Sequence, residues 1–221
     1  MHSPKAVVFD FDYTLADSSQ GACDCINFAL SGMGLQTVSF AFATKTIGLS
    51  LPNTFEKLAP ASQWGRADEF SSLFAERADE VMASMTSIYP AVPNVLEELV
   101  ERGIVLGITS TKFRYRIEGI LERDGLAHLF QVIVGGEDVA AHKPDPSGLL
   151  STVASLCHSP SDSVYVGDST VDAETAAAAR IPFIGVLSGT TSLADFEKFN
   201  AQCILGDVSE LPELLAQGDS T

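Results

Sequence analysis

Residues Ala6 to Phe9 form a short apolar run with no polar face, and two carboxylates, Asp10 and Asp12, stand where that run ends. A continuous run bounded by polar turn-formers is the pattern of a strand buried on both sides of a sheet. Strands of that kind belong to layered α/β folds, where chemistry collects at their carboxyl ends. Asp10 and Asp12 cannot both sit there cheaply as bare anions, because like charges at close range raise one another's pKa. A divalent cation would resolve the conflict. So would a solvated turn, and the two residues by themselves leave both open.

From Pro93 onward the chain alternates in βα fashion. Helical spacing predicts helices over 94–102, 113–124, 147–156, 171–180 and 193–199, with a last one from Val208. Short apolar runs between them predict strands over 104–109, 132–135, 163–166, 183–187 and 203–205. This succession predicts a parallel, doubly wound sheet. Only the last few residues look frayed.

Between Ser18 and Ser87 no buried strand is legible. Ser18 or Ser19 can cap a helix to about residue 31, ended by Gly32 and Gly34. Shorter helices are expected over 40–46 and, with Pro52 in the first turn, 53–59. The longest is expected over 63–85, with Phe70, Phe74, Ala78 and Met82 at helical spacing. An insert of roughly seventy residues is far longer than a usual βα connection, which predicts a lid. Within it, Lys45 lies in a loop that Gly48 can turn sharply. Lys45 is either a cation that reads a carboxylate or second phosphate on a substrate, or a solvated surface lysine.

Further along, Ser110-Thr111-Lys112 follows the apolar strand 104–109. A hydroxyl and free backbone amides at a helix N-terminus form an anion cradle, though a plain N-cap has the same sequence. Lys112 is either a pocket cation or a surface residue. Asp168 and Asp172 follow the strand at 163–166, where both metal ligation and helix capping suit them.

Four motifs in order, D-F-D-Y-T-L at Asp10, Ser110, Lys143 in His-Lys-Pro-Asp-Pro and Gly167-Asp168-Ser169-Thr170-Val171-Asp172, resemble those of the haloacid-dehalogenase-like hydrolases, over nearly the whole chain. The resemblance implies a Rossmann-like α/β core of residues 1–16 and 88–221, with a small all-helical cap over 17–87. It implies Asp10 as nucleophile, Asp12 as acid and base, and Lys143 as the cation that neutralises Asp10 and the phosphoryl oxygens. Ser110 and Thr111 would bind the phosphoryl group. A Mg²⁺ ion would be held by Asp10, the Asp12 carbonyl and Asp168, with Asp172 orienting a water or Lys143. Asp rather than Tyr or Ala at position 12 points to phosphoryl transfer. One departure is Tyr13, where the family often has Gly; a glycine there permits positive φ and close approach, so Tyr13 either narrows the pocket or points a phenol into it.

The implied activity is a Mg²⁺-dependent phosphatase for a small phosphorylated metabolite, of the phosphoglycolate-phosphatase-like branch. Ser110-Thr111-Lys112-Phe113-Arg114 also resembles that branch's pyrophosphatases. A sugar-phosphate mutase would be expected to carry an Arg in Gly48-Leu49-Ser50-Leu51, which has none. A non-catalytic binding module is disfavoured by competent side chains at all four motifs.

The net charge of −16 argues against nucleic-acid binding, which needs a basic face. It also requires any phosphate site to be locally positive. The four cysteines show no zinc-type spacing and are expected to be free thiols in a reducing compartment. With no apolar run of membrane length, a cytoplasmic protein without membrane partners is expected. The sequence is silent on oligomeric state.

Overall fold

The computed structural model describes residues 4–199 and 201–217. The frayed end expected from the sequence lies outside them, as do the extremities of the expected core segment. The chain runs β1 (Ala6–Phe9), β2 (Ala16–Asp17), α1 (Ser19–Gly32), α2 (Phe40–Ala43), α3 (Leu51–Leu58), α4 (Ala67–Val81) and β3 (Ser87–Ile88). There follow α5 (Val92–Glu101), β4 (Val105–Thr109), α6 (Arg114–Arg123), β5 (Phe130–Val134), α7 (Ser147–Ser155) and β6 (Ser163–Gly167). Last come α8 (Thr170–Ala179), β7 (Phe183–Val186), α9 (Leu193–Phe196), β8 (Cys203–Leu205) and α10 (Leu211–Ala216).

Six strands form one parallel sheet in the order β5-β4-β1-β6-β7-β8. Strand β1 is central, and its alternation sends side chains into two apolar layers. Val7 and Phe9 pack with Leu96 and Leu99 of α5, Ile117 of α6 and Leu215 of α10. Ala6 and Val8 pack on the other face with Leu149 and Val153 of α7 and Ala173 and Ala176 of α8. A strand with both faces covered can carry only apolar residues, which is why Ala6 to Phe9 are apolar throughout. In register, Phe9 lies opposite Ile108 of β4 and Val166 of β6. The carboxyl ends of the three strands therefore align. The chain builds outward from β1 on one side and then on the other, and the crevice at such a reversal is where α/β sheets bind ligands.

Residues 17–87 form a second compact unit, whose regular structure is helical apart from the single residues Asp17 and Ser87 at its ends. Its core joins Ile26, Ala29 and Leu30 of α1 to Phe55 of α3 and Phe70, Phe74 and Ala78 of α4. Phe55 and Phe70 stack with ring centroids 5.0 Å apart.

Several helices differ from expectation in their bounds, three of them for reasons the sequence around them makes plain. The helix expected over 63–85 begins as a 3-10 turn, Ala61–Arg66, and α4 starts at Ala67 with Asp68 and Glu69 in its first turn, where carboxylates favour a helix start. Helix α5 begins two residues early and takes Pro93 into its first turn, where the missing N–H costs nothing. Helix α9 stops at Phe196; beyond it Lys198 and Phe199 bond back three residues rather than four, in turns.

Candidate active site

Asp10 continues β1 by one residue: its amide donates to Val166 O at 2.8 Å, and the residue is 1% exposed. The chain then folds tightly, with the Leu15 and Ala16 amides both donating to Phe11 O. Tyr13 takes φ 62 in this turn, the conformation for which glycine is the easy residue. Its side chain is buried, and Ser188 Oγ donates to its carbonyl.

Lys143 enters from the loop before α7, and its ammonium lies 2.9 Å from Asp10 Oδ1 and 2.6 Å from Asp172 Oδ1. Its directed hydrogen bonds go to Asp172 and to Tyr165 Oη, the latter at 3.2 Å. Asp10 Oδ1 is buried with that charge beside it, and among the described residues no directed hydrogen bond reaches it.

Asp172 sits on the first turn of α8, where a reciprocal cap fixes it. Its Oδ2 accepts from the Ser169 amide and hydroxyl, while Ser169 Oγ accepts from the Asp172 amide. Gly167 clears space for it, since a Cβ there would come within 2.6 Å of the Asp172 side chain. Both Asp172 oxygens are thus committed within the protein. Asp168 follows β6 directly, and Thr14 Oγ1 donates a long hydrogen bond to its Oδ1 at 3.4 Å. Asp12 pairs at Oδ1 with Lys112 Nζ, 3.0 Å away.

Burial dominates the electrostatics. It pushes the Asp10 carboxyl from 3.8 up to about 6; Lys143 opposes that rise, and Asp172 and Asp12 add to it. Burial, then Asp172 and Asp10, push Asp168 well above the usual carboxylate range. For Lys143 burial works downward, but Asp10 and Asp172 outweigh it and hold the ammonium above its ordinary value. Tyr165 is raised by burial and the same carboxylates, so it remains a neutral phenol.

Ligand oxygens of Asp10, Asp168 and Asp172 lie within 4.8 Å of one another. The four buried carboxylates, Asp12 included, face two ammonium groups, Lys112 and Lys143. With all four ionised, two negative charges would stay unneutralised, and among the described residues Asp10 Oδ1 accepts no directed hydrogen bond. An oxygen-rich site with that deficit fits a hard divalent cation.

Ser110 ends β4 and is 5% exposed. The cradle at Ser110 differs from expectation, because α6 begins four residues later, at Arg114. The Ser110 amide is spent on Val134 O, the Lys112 amide on Ser110 Oγ and the Arg114 amide on Glu137 Oε2. Ser110 Oγ accepts from Lys112 and retains its own proton to donate. Thr111 is half-buried beside it. Lys45 lies on a 3-10 turn, Thr44–Thr46, in the other unit, with its side chain exposed. Asp10, Asp12, Ser110, Lys143, Asp168 and Asp172 therefore gather at the carboxyl ends of β1, β4 and β6.

Sequence reasoning left Lys112 undecided and passed over Tyr165. Lys112 reaches Asp12 through a turn whose shape is set by contacts with 135–137, which nothing local reveals. Tyr165 did leave a signal: a phenol inside an otherwise apolar buried strand must find a partner for its hydroxyl.

The family model described as haloacid dehalogenase-like hydrolase matches residues 7–186. A phosphoglycolate phosphatase of Rhodospirillum rubrum is 31% identical over 96% of this chain and 91% of its own length. One from Cereibacter sphaeroides is 32% identical over 95% of this chain and 96% of its own. Among solved structures, a Bacteroides fragilis chain described as haloacid dehalogenase-like superposes with a TM-score of 0.88 at 38% identity, covering 94% of this chain and 99% of that one.

Proposed function

The chain belongs to the haloacid dehalogenase-like hydrolases, as a phosphatase of their phosphoglycolate-phosphatase-like branch, and from that premise we propose a Mg²⁺-dependent enzyme that hydrolyses a small phosphoglycolate-like metabolite through an aspartyl-phosphate. The observation that carries this reading is Asp10: a carboxylate buried at the end of the central strand, with an ammonium 2.9 Å from one oxygen and, among the described residues, no directed hydrogen bond to that oxygen.

In this mechanism an Asp10 oxygen attacks phosphorus while Asp12, as general acid, delivers a proton to the leaving oxygen as the P–O bond breaks. Asp12 then takes a proton from water, whose oxygen attacks phosphorus and releases inorganic phosphate from Asp10. Lys143 holds positive charge against Asp10 and the phosphoryl oxygens throughout. Ser110 donates its hydroxyl proton to a phosphoryl oxygen, with Thr111 beside it. Asp10, Asp168 and the Asp12 carbonyl would hold Mg²⁺, which supplies neutralising charge to the phosphoryl group. Asp172, with both oxygens already engaged, orients Lys143 rather than binding metal directly.

We assign the unit 17–87 as the cap, with Lys45 as its reader of the substrate's second anionic group. The test is phosphate release over a panel of phosphorylated metabolites, pyrophosphate included, with Mg²⁺ and with chelator. Metal-dependent release from a short anionic phosphomonoester is expected. Lys45→Ala should lower kcat/KM for that ester and spare a generic aryl phosphate, whose leaving group carries no second anionic group. Metal-independent release, or pyrophosphate as the best substrate, would overturn the assignment.

A further inference from the structure

Tyr165 stands at the middle of β6, fully buried, and no step of the reaction above uses it. Its ring packs on Phe183 at a centroid separation of 6.2 Å. Its oxygen lies 3.2 Å from Lys143 Nζ, 2.8 Å from Asp172 Oδ1 and 3.1 Å from the Thr109 carbonyl. Those three groups come from the loop before α7, the first turn of α8 and the end of β4. One phenol thus joins three segments that meet nowhere in the sequence.

The direction of the bonds matters more than their number. A lysine ammonium is a point charge on a flexible stem, and neighbouring acceptors decide where it rests. Lys143 donates directed bonds to Tyr165 and Asp172 and stands as an ion pair 2.9 Å from Asp10 Oδ1. The phenol accepts from Lys143, and its single proton goes to Asp172 or to the Thr109 carbonyl. Asp172 is in turn pinned by Ser169.

We propose that Tyr165 is a positioning residue: with Asp172 it forms the seat that holds the Lys143 ammonium against Asp10. The inference rests on the role given to Lys143 above. Removing the hydroxyl while keeping the ring, Tyr165→Phe, should lower kcat by about 10- to 100-fold, the usual cost of losing a group that orients a reactive residue. KM should stay within about twofold, since substrate does not touch the phenol.

Two measurements separate this from simple loosening of the fold. The first is a cycle with Lys143→Met, assayed on an activated aryl phosphate below the melting temperature of every variant. If Tyr165 acts through Lys143, Tyr165→Phe has no further effect once the ammonium is gone; equal losses in both backgrounds would overturn the proposal. The second needs no turnover. The side-chain ammonium resonance of Lys143 in ¹⁵N-labelled protein, assigned by its absence in Lys143→Met, should be lost to exchange broadening in Tyr165→Phe. An unchanged resonance would overturn the proposal even if the enzyme is active, whereas an inactive wild type with a lost resonance would count against the assigned reaction alone.

Discussion

Gly189 lies against Asp168 so closely that a Cβ on residue 189 would overlap the Asp168 carboxylate. The loop after β7 thus closes over one side of the acidic cluster, and its neighbour Ser188 holds the Tyr13 carbonyl. Gly189→Ala must push the Asp168 side chain aside. Metal affinity is expected to fall by about 10- to 100-fold, with turnover restored in part by raised Mg²⁺. Titration calorimetry with Mg²⁺ checks it, and affinity equal to wild type would show that Asp168 is no ligand.

The crowded carboxylates give the metal-free protein a pH signature. Asp10 has a folded pKa of about 6 against an ordinary 3.8, so between those values the folded chain holds a proton that the unfolded chain has released. Stability therefore falls as pH rises through that window, by a total of about 3 kcal/mol from this group. Asp168, also raised, extends the decline in the same direction. Urea unfolding with chelator at pH 4 to 8 should show the decline in wild type and a shallower one in Asp10→Asn. Parallel curves would contradict it.

Lys112 and Asp12 form an ion pair whose side chains are 7% and 10% exposed. Lys112→Met leaves a buried carboxylate without that partner, a loss expected to cost about 3–5 kcal/mol. Adding Asp12→Asn should recover most of it, because the carboxylate that Lys112 neutralised disappears with it. Urea unfolding of the two singles and the double measures the coupling. Additive losses would mean that the pair contributes nothing.

Much of this was legible in the chain because the relevant signals are local. Ala6 to Phe9 had to be apolar to lie between two helical layers, and the parallel sheet followed from the same logic repeated from β4 to β8. Asp10, Ser110 and Asp168 stood out because each directly follows a strand. Contacts made across the sheet were not legible. Lys112 meets Asp12, and Tyr165 meets the Thr109 carbonyl, only through chain segments far apart in sequence. The strained turn at Tyr13 is a middle case: a glycine-like conformation was foreseeable there, and the chain adopts it with a buried tyrosine held by Ser188.

The central claim is that Asp10 carries the phosphoryl group. Asp12→Asn should still accept phosphoryl from an activated donor but be slow to release it, since the base that activates water is gone. Acid quench and mass spectrometry of its peptides should then find the phosphoryl group on Asp10. Asp10→Asn should show no label and retain less than about 1% of wild-type turnover. Label on Ser110, or turnover surviving in Asp10→Asn, would contradict the account.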